Sequence, residues 1–234
     1  MKNVLVVAAH PDDELLGLGG TVRRLANEGV TVRAVIIAEG LTSRADSRKE
    51  TDLSELEHLQ SDARKAAEIV GYKSIEFCGL PDNRMDGMEL LDVIKIVSKF
   101  VAKYHTDTVF THHHGDLNID HRLTCEAVLT ACRPVGVYGV KRIFAFETPS
   151  SSEWNFNYSE PFNPNVYFDV TDTFEAKIEG MACYRSESTV YPHPRSPEAL
   201  RSLGRLRGNN VGFDMAEGFI LLRECIGKTS AWVR

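Results

Sequence analysis

The chain has 234 residues, 27 of them basic and 33 acidic, for a net charge of −6 with no long run of either sign. That balance gives no electrostatic footing on a nucleic-acid backbone or an anionic membrane surface, so both partners are disfavoured and a small or neutral substrate fits better. The length lies above the ~100–200 residues usual for a domain, yet α/β chains of this size commonly form one unit, and a single domain over residues 1–234 is expected.

The N-terminal apolar stretch in "MKNVLVVAAHPDDE" is too short for a signal segment followed by a span, and no later segment reaches ~20 apolar residues, so a cytoplasmic location is expected. The five cysteines, Cys78, Cys125, Cys132, Cys183 and Cys225, are odd in number and scattered. They match neither a disulfide framework nor a cysteine zinc site, and are expected to be ordinary thiols.

In chain order, "NVLVVAAH" is a continuous apolar run of strand length, and "LGLGGTVRRLANEG" has helical spacing at Leu18, Val22 and Leu25 with Gly29 as its end. Gly17, Gly19 and Gly20 are expected to let this helix pack closely on the sheet. "VTVRAVIIAEG" is a second strand. "SRKETDLSELEHLQSDARKAAEIVGY" reads as a long amphipathic helix stopped at Gly71. A third strand, "SIEFCGLPD", a helix, "MELLDVIKIVSKFVAKYH", a fourth strand, "TDTVFTHHHGD", and a helix, "DHRLTCEAVLTACRP", follow. This alternation implies a mostly parallel sheet with helices on both faces, and ligands beyond the carboxyl ends of its strands.

After Pro134 the pattern loosens. "VKRIFAFET" is another strand, and "PSSSEWNFNYSEPFNPN" reads as a structured loop over the site. "VYFDVTDTFEAKIEGMACYRS" gives a strand and a helix capped by Thr171 or Asp172. A proline-broken loop, a basic helix and a last apolar segment complete the chain.

Two strands stop at polar clusters: His10, Asp12 and Asp13 after the first, and His112, His113 and His114 with Asp116, Asp120 and His121 after the fourth. Parallel strands put these ends on one edge. Imidazole with carboxylate is the donor set of a catalytic zinc site, and two histidines with one aspartate is the economical choice. Pro11 fixes its own φ and holds His10 extended, which allows His10 and Asp13 to face one ion while Asp12 points to its far side. A carboxylate there is placed as a general base, because a metal lowers the pKa of a bound water towards ~7. Successive strand residues alternate faces, so the three histidines 112–114 cannot all be ligands. His113 is taken as a supporting or substrate-facing residue, with Asp116 and Asp120 orienting His10 or His121 through the free ring nitrogen. Glu14 is either a supporting residue of this kind or a plain acid in a first helical turn.

"AAHPDDELLGLGGT" with "HHHGDLNIDHR" resembles the PIG-L/LmbE-like family of zinc-dependent N-acetylglucosaminyl deacetylases, marked by an AHPDDE motif and a later HxDH or xxDH motif. "CGLPDNR" and the tail from "YRSES" to "AEGF" are similar to weaker family patterns. The resemblance spans nearly the whole chain. It implies a Rossmann-like single domain, a three-layer sandwich in which His10, Asp13 and His121 hold Zn²⁺, with Fe²⁺ as the alternative, and Asp12 acts as general base on an N-acetylated sugar. A homo-oligomer is compatible with the tail, which in the family reaches over the site, sometimes from a neighbouring subunit.

Many members carry a histidine where this chain has Asn118 in "NIDH". An amide can donate to an oxyanion but cannot deliver a proton to the leaving amine. His193 in "YPHPRS" is the candidate for that step, with Arg195 beside it.

"GLGG" is not GxGxxG and follows an acidic cluster, so a dinucleotide is discounted. Arg185, Arg195, Arg201, Arg205 and Arg207 are a solvated basic face or a contact for a phosphate-bearing sugar. Trp154, Phe156, Tyr158 and Tyr191 could stack on a sugar ring, although packing is the commoner fate of such residues. The leading function is a metal-dependent N-acetyl-sugar deacetylase, free, nucleotide-linked or glycoconjugate. The alternatives are an amidase of a thiol conjugate or non-sugar amide, and a metal-binding protein without catalysis, against which the retention of Asp12 argues.

Overall fold

Five apolar residues in succession, Val4 to Ala8, need cover on both faces, and an interior parallel strand provides it. The computed structural model describes residues 1–41, 53–134, 139–187 and 189–227. In it this run is β1 (Asn3–Ala8), paired in parallel with β2 (Thr31–Ala38) on one side and β4 (Thr108–His112) on the other. β3 (Ser74–Leu80), β5 (Arg142–Phe146), β6 (Val166–Asp169) and β7 (Ala216–Glu224) complete a seven-stranded sheet of order β3-β2-β1-β4-β5-β7-β6. Strands β1 to β5 pair in parallel, while β7 runs antiparallel between β5 and β6. The sheet is therefore mostly parallel, as expected.

Alternation along β1 divides the core. Val4, Val6 and Ala8 join a layer with α1 (Asp13–Asn27), α2 (Leu53–Val70), α5 (Phe174–Met181) and Leu200 of α6 (Pro197–Asn209). Leu5 and Val7 join the opposite layer with α3 (Leu90–Lys103) and α4 (Ile119–Ala131). Helices thus cover both faces in a single α/β domain of three layers. The chain runs outward through β1, β2 and β3 and then returns to β4 on the other side of β1. This reversal opens a crevice at the carboxyl ends of β1 and β4.

The local differences from the sequence reading are instructive. α1 begins at Asp13, so the acids sit in its first turn, and it is interrupted at Leu18 (φ −154°, ψ 24°). Gly29, with φ +79°, follows it as expected. The long second helix is seen from Leu53; the part of it expected before that residue lies outside the described residues. The N-cap of α5 is Thr173 rather than Thr171 or Asp172, and its hydroxyl donates to the Gly20 carbonyl (2.9 Å). The five cysteines are free thiols, with Cys125 and Cys132 buried. Among the described residues, no helix is long and apolar enough to cross a membrane.

Candidate metal centre

The loop leaving β1 is tied to α1 by its own acids. The His10 N–H donates to Asp13 Oδ2 (2.9 Å) and the Asp12 N–H to Glu14 Oε2 (2.9 Å), and the Asp12 carbonyl accepts the Leu15 and Leu16 N–H groups. Asp12 has φ +104°, a region costly for any residue with a Cβ, on the order of 1–3 kcal/mol. Glu14 offsets part of that cost. It is fully buried, receives the Tyr184 hydroxyl on its other oxygen, and its backbone carbonyl accepts from Tyr72. Burial pushes its carboxyl up to about 7. Glu14 thus lies in the first turn of α1 and also anchors the backbone of the loop before it.

The expected ligand atoms converge. Asp13 Oδ2 is 3.3 Å from His10 Nδ1 and 3.3 Å from His121 Nε2, and all three residues are buried. Burial disfavours the Asp13 carboxylate, but His121 and His10 outweigh it and hold it well below the usual range. Each ring's outer nitrogen meets a carboxylate. His10 Nε2 lies 3.1 Å from Asp120 Oδ2 and 3.1 Å from Asp82 Oδ1, and His121 Nδ1 lies 3.1 Å from Asp116 Oδ1. These carboxylates are fixed in turn. Asp120 accepts the N–H groups of Asn83 (2.7 Å) and Met85 (3.1 Å). Asp116 accepts the hydroxyls of Ser151 and Ser152 and the Asn118 N–H. A ring nitrogen for the ion and a carboxylate behind each ring is the arrangement that fixes tautomer and raises ligand basicity. The donor set suits a divalent ion.

His112 and His113 part company. His112 Nε2 accepts the Ala9 N–H (2.9 Å), so the ring is neutral and its Nδ1–H faces the Thr148 hydroxyl (3.2 Å). Burial, with His121 nearby, lowers its pKa well below the ordinary value. The ring stacks on His121 (centroids 3.9 Å apart, 17° between planes) and packs on Phe146. It pins the end of β1 to β4 and supports His121 from behind. His113 instead turns away, donating from Nε2 to the Glu160 carbonyl (2.8 Å) with its ring edge to Phe162. The expectation that His113 faces substrate is thus replaced by an anchoring role, and the supporting histidine is His112. Parity was the available signal: His112 shares a strand face with Phe110, next to the layer holding α1.

The cavity above this cluster, ≈ 170 Å³, is lined among others by His10, Asp12, Asp82, Asn118, His121, Glu187 and Arg195. Arg195 is the tail residue that reaches it. Its guanidinium donates from Nη1 to Asp12 Oδ2 (2.6 Å) and to Glu187 Oε2 (2.9 Å), and from Nε to the Ser150 hydroxyl (2.7 Å). Burial pushes the Asp12 carboxyl well above its usual range, with Arg195 pulling the other way. Asn118 caps α4, accepting the Asp120 N–H on Oδ1 (2.8 Å) and donating from Nδ2 to Asn83 (2.9 Å). His193 is not brought into the cavity. Its Nδ1 accepts the Arg195 N–H (3.2 Å) and its ring stands edge-on to Trp154, so it shapes the loop that presents Arg195. Asp82 and Glu187 were not singled out from sequence; they become visible only when their loops close over the crevice. Arg185, Arg201 and Arg207 pair with Asp62, Glu175 and Glu147, while Phe156, Tyr158 and Tyr191 are exposed.

A family model described as GlcNAc-PI de-N-acetylase (PIG-L) matches residues 5–132, more than half of the chain. The chain belongs to that family. Diacetylchitobiose deacetylase of Thermococcus kodakarensis is 26% identical over 223 residues, spanning 93% of this chain and 82% of the relative. Among solved structures, N,N'-diacetylchitobiose deacetylase from Pyrococcus horikoshii in complex with an inhibitor superposes with a TM-score of 0.77 at 22% identity, over 95% of this chain and 84% of that one. The 4-carboxy-2-hydroxymuconate hydratase GalB of Pseudomonas putida superposes as well, with a TM-score of 0.76 at 23% identity over 99% of this chain and 100% of that one. The PIG-L fold by itself therefore does not fix a reaction, and the residues of the site must carry the argument.

Proposed function

We propose that this chain is a metal-dependent hydrolase that removes the acetyl group from an N-acetylated amino sugar. The observation that carries the proposal is the convergence of His10 Nδ1 and His121 Nε2 on one oxygen of Asp13, each at 3.3 Å, with Asp12 beside them at the cavity wall. His10, Asp13 and His121 would hold the ion, with Zn²⁺ the first choice and Fe²⁺ the alternative. An ion held there supplies polarisation of the acetamide carbonyl and a lowered pKa for water.

The chain's own residues do the rest. Asp12 accepts the proton of the attacking water as the new C–O bond forms. Asn118 Nδ2 is available to donate to the developing oxyanion once it releases Asn83. As the C–N bond breaks, Asp12 returns its proton to the amine nitrogen, giving acetate and a free amino sugar. This assigns the acid step to Asp12, because the His193 ring is engaged with Thr189, Trp154 and the Arg195 N–H at the rim. Arg195, itself held by Glu187 and Ser150, keeps Asp12 in place between these steps.

The test is acetate release from N-acetylglucosamine, diacetylchitobiose and UDP-N-acetylglucosamine by metal-loaded and chelator-stripped protein. Release from at least one sugar, abolished by stripping and restored by Zn²⁺, supports the proposal. Release unaffected by stripping, or release from none of them by protein that holds one ion per chain, contradicts it.

A further inference from the structure

α1 contains a break that its sequence alone does not explain. In an unbroken α-helix the Gly20 and Thr21 N–H groups bond to the carbonyls of Leu16 and Gly17. Here both N–H groups donate to the Glu217 carboxylate of β7, at 3.2 Å and 2.6 Å, and the Leu16 carbonyl accepts the Lys177 ammonium of α5 at 2.8 Å. Lys177 and Glu217 bond to each other at 2.8 Å, and both are buried. The non-helical Leu18 lies between the two ends so capped. The signs are those a helix interruption requires: a cation at the carbonyl end of the first segment, an anion at the N–H end of the second.

Gly19 makes room for this pair, since a Cβ there would stand 3.1 Å from Lys177 Cβ, while one on Gly20 would press on Val170 Cβ at 3.1 Å. A Cβ on Gly17 would stand 2.3 Å from the ring of Phe146, the residue packed against His112. The first segment, Asp13 to Gly17, is therefore fixed at its far end by α5, β7 and β5. At its near end are Asp13, which faces His10 and His121, and Glu14, which holds the Asp12 backbone.

We infer that the Lys177–Glu217 ion pair is a positioning device for the metal centre: it splices the interruption in α1 so that the Asp13–Gly17 segment takes a direction of its own and presents Asp13 and Asp12 to the crevice. The inference rests on the proposed metal site, but not on the identity of the substrate. A buried pair contributes little net stability and is costly chiefly when one partner is left alone. Removing both charges together therefore separates positioning from bulk stability.

The experiment compares wild type with Lys177→Met, Glu217→Gln, the double variant and Lys177→Arg, all at a temperature well below the lowest melting midpoint. Zn²⁺ affinity is read by competition with a chelator, and amide hydrogen exchange is read over residues 13–17 and over β1. Each single variant is expected to lose roughly tenfold in Zn²⁺ affinity, the scale seen when groups behind metal ligands are removed. Exchange should accelerate at residues 13–17 and remain unchanged in β1. The double variant should recover part of the thermal stability lost in the single variants but not the Zn²⁺ affinity, and Lys177→Arg, which keeps donors for both Leu16 and Glu217, should restore most of the affinity. Zn²⁺ affinity at the wild-type level in the double variant, with exchange at residues 13–17 unaltered, overturns the inference. If Lys177→Met does not fold, Glu217→Gln decides on the same two readouts. Wild-type protein that binds no Zn²⁺ contradicts the proposed function, and the exchange comparison then still reports on the splice.

Discussion

Arg195 Nη1 stands 2.6 Å from Asp12 Oδ2 across 183 residues of chain, joining the C-terminal tail to the loop after the first strand. The contact involves the residue proposed as base, whose carboxyl is pushed up by burial and drawn down by Arg195. Replacing Arg195 with Met removes the lowering influence, so Asp12 ionises only at higher pH. The acid limb of the kcat/KM profile should move upward while metal content stays the same. A limb that does not move would dissociate Arg195 from the base.

Metal affinity should rise with pH. In the metal-free protein burial works against a charged His121, but Asp13 and Asp116 outweigh it and raise the ring to about 9. Its folded pKa is above the unfolded value of about 6.5, so the stability it contributes is present in full below that value and lost as pH rises through about 9. Metal binding requires the neutral ring and must displace this proton. Zn²⁺ affinity should increase between pH 7 and 9, by up to about tenfold per unit for one displaced proton, while the metal-free melting temperature falls. Affinity independent of pH would mean that His121 is already neutral.

Asp116 should act on metal affinity through His121. Asp116→Asn keeps the shape but loses the carboxylate behind the ring, and is expected to weaken Zn²⁺ binding by ~10–100-fold. His193→Ala, by contrast, should leave metal affinity intact and change turnover only slightly, through the loop that carries Arg195. Chelator competition and steady-state rates on the two variants check the contrast.

Gly17→Ala places a methyl group where Phe146 already stands. Overpacking of this kind costs typically about 1–3 kcal/mol, and the thermal midpoint should fall accordingly. A variant as stable as wild type would show that Phe146 can give way without strain.

The fold and the clustering of His10, Asp13 and His121 were legible in the sequence because both rest on short-range pattern. Continuous apolar strands alternating with amphipathic helices imply a parallel sheet, and "HPDD" and "NIDH" stand at strand ends that such a sheet brings together. What was not legible depended on long-range closure. Arg195 rather than His193 reaches the cavity because the orientation of a proline-rich loop is set by its packing on Trp154. That His112 rather than His113 supports His121 was by contrast within reach of strand parity, which puts His112 on the face of Phe110. The antiparallel insertion of β7 carries no local signature in "AEGFILLRE" beyond an apolar strand, and with it went the role of Glu217. Gly17, Gly19 and Gly20 do serve close packing, but Gly19 makes room for Lys177 of a helix rather than for the sheet.

The central claim is that Asp12, beside the cluster of His10, Asp13 and His121, acts as the base of an amide hydrolysis. Its most direct test is the release of acetate and free amine from an N-acetylated sugar by wild type and by Asp12→Asn, each shown to contain one metal ion per chain. Wild type is expected to release one acetate per amine, and the variant to lose ~10²–10⁴-fold in turnover at equal metal content. Equal turnover by the two proteins would rule Asp12 out as the base.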